Sequence, residues 1–183
     1  MFKNKSMWMK VHTYLSLFFL PAALIYAFTG ALWILNVRAD AGANITEFQV
    51  QDVQKGKEQE LILSELAKRD LEIPTNTHLR EQRGNLTMGN IAYSVTLQKD
   101  KNGEYKIRVV ERSLYGILLL MHLSKGSFWF DIIAIGFALS LIIFYFSGLI
   151  MTSFCKRKRK PALITFFAGL FITSLMVYLS VVM

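Results

Sequence analysis

Three histidines, His12, His78 and His122, and one cysteine, Cys155, are the side chains of this chain best suited to chemistry. An imidazole can bind a metal, carry a proton or hold a hydrogen bond, and its surroundings decide which. His122 stands in an apolar run, Leu114 to Leu123, just before Ser124-Lys125-Gly126-Ser127. His12 opens another apolar run, and His78 lies in a polar passage. A haem iron with two axial histidines needs both imidazoles on opposite faces of one metal. A single cysteine forms no internal disulfide. Cys155 reads as an interfacial thiol or, beside basic residues at a membrane edge, as an acylation site.

The elements that must position these residues follow from the charge pattern. Three blocks carry no Asp, Glu, Lys or Arg: 27 positions between Lys10 and Arg38, 24 between Asp131 and Lys156, and 23 from Pro161 to Met183. A helix crosses a bilayer core of roughly 30 Å with about 20 apolar residues. All three blocks are long enough, so the fold class is an integral membrane α-helical protein with three transmembrane helices. The first block is too long for a cleavable signal, whose apolar region is about 7–15 residues. Trp8, Trp33, Phe128, Trp129 and Phe130 suit membrane interfaces.

The net charge of +8 resides in two short segments, Lys3, Lys5 and Lys10 at the start and Lys156 to Lys160 between the second and third blocks. The positive-inside rule places both in the cytoplasm. The segment between the first two spans, with 12 basic and 12 acidic residues from Arg38 to Arg112, then faces outward. In a bacterial inner membrane that side is the periplasm, and Met183 ends there too. A neutral water-facing domain with basic runs only beside spans argues against nucleic-acid binding.

The outward segment reads as a small α+β domain. Glu58 to Asp70 has a helical period, with Leu61, Ile62 and Leu66 on one face. Pro74 follows it. Ile91 to Lys99 and Glu104 to Val110 alternate as strands, joined by Asp100-Lys101-Asn102-Gly103, a hairpin turn. His78 to Arg83 and Thr46 to Val50 also have strand character. The organisation predicted is a basic tail at 1–10, a first span at 11–37, the outer domain at 38–112 and an interfacial helix at 113–125. The second span then covers 127–155, a basic loop 156–160 and the third span 161–183. Gly126 is expected to be the hinge into the second span.

Two passages resemble the PepSY-associated transmembrane family. They are KVHTYLSLFFLPAALIYAFTGALWI, Lys10 to Ile34, and ERSLYGILLLMHLSKG with FSGLIM, Glu111 to Gly126 and Phe146 to Met151. The family's first span has a histidine at one edge and a Thr-Gly pair toward the other, here His12 and Thr29-Gly30. Its second span follows a Leu-His-x-Gly-like passage and ends in a Thr/Ser-Gly pair, here His122 and Ser147-Gly148. A PepSY-like helix-on-sheet module lies between. The two small-residue pairs read as helix-packing motifs.

The resemblance implies more than the residues do. Larger relatives are membrane reductases of siderophore-iron uptake, with haem b held by histidines of the spans. That would make His12 and His122 haem-iron ligands and the protein an electron carrier to ferric iron. This sequence departs from the larger members by having three spans and no later histidine-bearing helix. His12 and His122 also fall at opposite membrane edges, about 30 Å apart, too far to share an iron. A haem at His122 would need His78, Met121 or a second chain. The other reading is a non-enzymatic accessory subunit that binds a periplasmic or membrane partner, itself or another protein. Transport finds least support, since the three apolar blocks contain no charged residue.

Overall fold

Alternation along two strands sets the centre of the outer domain. Tyr93, Val95 and Leu97 point to one face and Ser94, Thr96 and Gln98 to the other, and Ile107 and Val109 continue the apolar face on the next strand. The computed structural model describes residues 5–82, 84–100, 103–126, 128–151 and 159–182. Lys3, Arg83, the turn residues Lys101 and Asn102, Ser127, Cys155, the loop residues Lys156, Arg157 and Lys158, and Met183 lie outside the described residues.

In chain order the elements are α1 (Lys5–Ile34), β1 (Asn44–Val50), α2 (Glu58–Lys68), β2 (Arg80–Gln82), β3 (Asn85–Gly89) and β4 (Tyr93–Lys99). β5 (Tyr105–Glu111), α3 (Leu114–His122), α4 (Phe128–Met151) and α5 (Arg159–Val182) follow. Ser6–Ile34, Phe128–Gly148 and Lys160–Val182 are long and apolar enough to cross a membrane. The chain is a multi-pass membrane protein with three spans and an α+β domain between the first two.

The five strands form one antiparallel sheet in the order β1-β5-β4-β3-β2. Helix α2 packs on one face. Its Ile62 and Leu66 are fully buried with Met88, Val95 and Ile107, and Val50, Leu97 and Val109 complete the core. The β4–β5 hairpin closes where the Gly103 amide donates to the Asp100 carbonyl, with Gly103 at φ +84°. Strand β3 was not expected. Its five residues, Asn85-Leu86-Thr87-Met88-Gly89, are too few and too polar to announce a strand, but Met88 fills the core and the strand pairs with both β2 and β4. Pairing partners distant in sequence override a weak local signal.

Three helices end in the same way. After α1, α2 and α3 a non-glycine residue takes the left-handed conformation, respectively Asn36, Asp70 and Ser124. At each end the next amide reaches back, Val37 to Leu32, Leu71 to Leu66 and Lys125 to Leu120. These are Schellman closures that satisfy the last carbonyls of the helix. The turn after α3 therefore rests on Ser124, not on Gly126 as expected. Gly126 is needed for space, since a Cβ there would lie 3.1 Å from Met121 Cγ and 3.4 Å from Ile91 Cδ1. The Ser124 hydroxyl also donates to Asp131, 2.9 Å away in the first turn of α4. An acidic group is favoured at that end of a helix.

The chain divides into two compact units. One comprises residues 1–21 and 135–183, the other residues 22–134. In the first unit the Phe19 ring packs beside Phe137 and against Gly136. In the second, α3 is tied to the segment leaving α1. Ser113 caps α3 by accepting from the Gly116 amide and donates its hydroxyl to the Ala41 carbonyl. Tyr115 donates to the Val37 carbonyl at 2.8 Å. Gly116 comes so close to the Ala39 carbonyl that a Cβ would sit 2.2 Å from its oxygen. Arg108 and Asp40 add an ion pair at 2.8 Å. Both ends of the outer domain are thus fastened where they leave the membrane helices.

Candidate functional site: two histidine–hydroxyl pairs

His122 occupies the last turn of α3, and Thr29 the last two turns of α1. The two side chains are 2.6 Å apart, Nδ1 to Oγ1. Thr29 is almost fully buried, with 2% exposure. Its hydroxyl donates to the Ile25 carbonyl one turn back at 2.5 Å. A carbonyl can only accept, and the hydroxyl has one proton. The proton between Thr29 and His122 must therefore belong to the imidazole. His122 donates through Nδ1–H, and in the neutral imidazole the lone pair is then on Nε2.

Aromatic packing holds the ring in place. Tyr26, three residues before Thr29, lies over the imidazole with centroids 4.2 Å apart and planes tilted by 35°. Phe130 stacks beyond Tyr26 at 6.4 Å. On the other side, a Cβ at Gly30 would sit 3.6 Å from His122 Cε1, an ordinary contact. Burial lowers the His122 pKa below its usual 6.5, because the charged imidazolium loses hydration there. His122 is neutral at pH 7.

The first unit repeats the arrangement. His12 on α1 lies 2.7 Å from the Ser147 hydroxyl on α4, Nδ1 to Oγ. Ser147 is fully buried and donates to the Phe144 carbonyl at 3.2 Å. Here the shorter contact is the one to the histidine, so His12 and Ser147 share one proton across 2.7 Å. Phe144, three residues before Ser147, meets the His12 ring edge-on at 5.3 Å.

Each pair thus consists of a histidine, a buried hydroxyl that also contacts a carbonyl of its own helix, and an aromatic ring three residues before that hydroxyl. The pairing is crossed in the sequence. The histidine of the first span bonds the serine of the second, and the histidine preceding the second span bonds the threonine of the first. Thr29 and Ser147, read from sequence as packing residues, are the histidines' partners. The signal was present: Tyr26-Ala27-Phe28-Thr29-Gly30 and Phe144-Tyr145-Phe146-Ser147-Gly148 share an aromatic-x-Phe-Thr/Ser-Gly pattern.

His78 is on neither pair. It lies on the exposed approach to β2 and donates to its neighbouring Leu79 carbonyl. Met121, the other expected ligand, has its Cγ beside Gly126. Among the described residues, no three His, Cys, Asp or Glu side chains assemble into a metal site.

The sequence matches the family described as PepSY-associated TM region over residues 2–157. The chain belongs to the PepSY-associated transmembrane family. The match runs through α1, the outer domain, α3 and α4, so it takes in both histidine–hydroxyl pairs of this PepSY-associated protein. It stops before α5. No curated protein and no solved structure shows significant similarity to the chain.

Proposed function

We propose that this PepSY-associated protein is a non-enzymatic accessory subunit of a bacterial inner membrane. Its N-terminus is cytoplasmic, and its α+β domain and C-terminus are periplasmic, as the two basic segments favour. The domain presents its surface to a periplasmic or membrane protein partner, a second copy of the chain included. The spans anchor it among membrane lipids, and nucleic acid is not a partner.

The observation that carries this reading is the use made of the two imidazoles. Each is hydrogen-bonded through Nδ1 to a buried hydroxyl on another helix and packs on an aromatic ring. In lipid such interhelical bonds are worth about 0.6–2 kcal/mol, enough to fix one helix against the next. His122–Thr29 does this for α3, which continues directly from strand β5 through Ser113. The outer domain is therefore tied to the end of α1 from which it leaves, residues 22–34. That suits a docking module and requires no turnover.

A second reading retains electron transfer in iron uptake, and the Nε2 of His122, which has no hydrogen bond among the described residues, favours it. An imidazole whose Nδ1–H is anchored and whose Nε2 is free has the donor chemistry of an axial haem ligand. Haem b held there would supply one-electron chemistry toward ferric iron or a siderophore. The described residues fit one axial ligand at His122 or at His12. They do not complete a haem site, so no electron-transfer step is assigned to them.

Asparagine separates the two readings, because it keeps an N–H for the hydroxyl and cannot replace the imidazole as an iron ligand. Full-length protein is expressed with haem supplied and purified in detergent as wild type, H12N, H122N and H122A. The accessory reading expects no Soret band, near-normal thermal stability for the asparagine variants and a loss for H122A. A stoichiometric Soret band that H122N or H12N abolishes would overturn it and establish the second reading.

A further inference from the structure

The sheet has two faces, and only one is accounted for by the α2 core. On the other, the register sets Arg80 beside Thr87 and Thr87 beside Thr96, in one row across β2, β3 and β4. Ser94 lies one step along β4. This polar face forms one wall of a cavity of about 440 Å³. Leu120 near the end of α3, the turn residue Lys125 and Arg112 also line it.

The cavity is cationic. Arg80, Arg112 and Lys125 line it, and no aspartate or glutamate does among the described residues. That imbalance is local, since the outer segment as a whole holds equal numbers of acidic and basic residues. Two of the cations are already fixed in place. Arg80 donates to the Gly89 carbonyl at 2.9 Å. Arg112 donates to the Ile91 carbonyl and to the Ser94 hydroxyl. Its Nε–H is buried without a hydrogen-bond partner, and its nearest carboxylate, Asp40, stands 3.9 Å away and is shared with Arg108. Burial accordingly holds the Arg112 pKa below its usual value. Arg112 is thus a partly buried cation whose nearest carboxylate is too long for a hydrogen bond.

The hydroxyls suit the same partner. Thr87 and Thr96 lie 3.1 Å apart and share one proton between them, so the second proton is available to a ligand. Pre-positioned guanidinium forks, an ammonium and hydroxyl donors around a small space are the elements of phosphate recognition. The position points to a source. Lys125 precedes the second span by three residues, at the water–lipid boundary, where headgroup phosphates are concentrated.

The geometry points to an oxyanion site in this cavity that takes the phosphate of an anionic lipid headgroup or of a soluble phosphate ester. The site does not involve either histidine pair, so it stands or falls independently of the accessory reading.

The test uses full-length protein and an R80Q/K125Q variant. Arg112 is left intact because its hydrogen bonds hold the β4 start. In nanodiscs of phosphatidylcholine doped with phosphatidylglycerol, lipid retained by the protein is counted by native mass spectrometry. In phosphatidylcholine alone, thermal unfolding is followed while inorganic phosphate or glycerol 3-phosphate is added. A lipid site predicts retained phosphatidylglycerol, weakened about fivefold or more for each charge removed. A soluble-phosphate site predicts a raised Tm for wild type and none for the variant. Retention equal in both proteins, with no phosphate response in wild type, would overturn the proposal. Circular dichroism and an R80K/K125R variant, expected to bind, separate lost charge from lost fold.

Discussion

His122 donates its Nδ1 proton to Thr29 across 2.6 Å, while Thr29 returns its own hydroxyl proton to the Ile25 carbonyl. This two-step chain joins the last turn of α3 to the body of α1. It also tethers the imidazole at one nitrogen. The following expectations derive from it and from the packing around it.

Replacing Thr29 by valine keeps the shape and removes the acceptor. The His122 N–H is then left without its bond, and the full-length protein in detergent should lose about 1 kcal/mol of stability. Serine at the same place restores the hydroxyl and should recover most of that loss. Ser147→Ala should do to His12 what Thr29→Val does to His122. Equal unfolding temperatures for Thr29→Val and Thr29→Ser would show that the contact carries no stability.

The lowered pKa of His122 sets a pH dependence. The unfolded chain takes up a proton near 6.5, before the folded chain does. Stability from this group is therefore complete above pH 6.5 and falls as pH drops below it, toward the folded-state value. Unfolding temperatures measured from pH 7.5 to 5 should decline for wild type more steeply than for H122N. Parallel profiles would assign the decline to other groups.

Two glycines should differ sharply in their tolerance of alanine. At Gly116 a Cβ would meet the Ala39 carbonyl oxygen at 2.2 Å, a backbone atom that cannot move alone. Gly116→Ala should destabilise the α3 attachment by about 2 kcal/mol or more. At Gly30 the nearest atom would be His122 Cε1 at 3.6 Å, so Gly30→Ala should change stability by only about 0.5 kcal/mol. Limited proteolysis of the outer domain, run alongside thermal unfolding, reads both variants.

Much of the architecture was legible in the residues because its causes are local. Charge-free blocks of 23 to 27 residues declare spans wherever they occur. Alternation at Tyr93, Val95 and Leu97 gives β4, and the apolar face at Ile62 and Leu66 gives α2, each readable from a window of a few residues. Strand β3 was missed for the same reason, since its short polar window contains only Met88 as a core residue. Its place in the sheet comes from its neighbours.

The pairings were not legible. His12 and Ser147 are 135 positions apart, and His122 and Thr29 are 93 apart. No periodicity links such distances. The sequence by itself determined three spans, an α+β domain between the first two, and the residue types available for chemistry. Only the tertiary structure decided that each histidine is bound through Nδ1 to a hydroxyl of another helix, and that three cations converge on the polar face of the sheet. Hydropathy acts through composition over a window. A hydrogen bond acts through the position of single atoms, and those are set only when distant segments have packed.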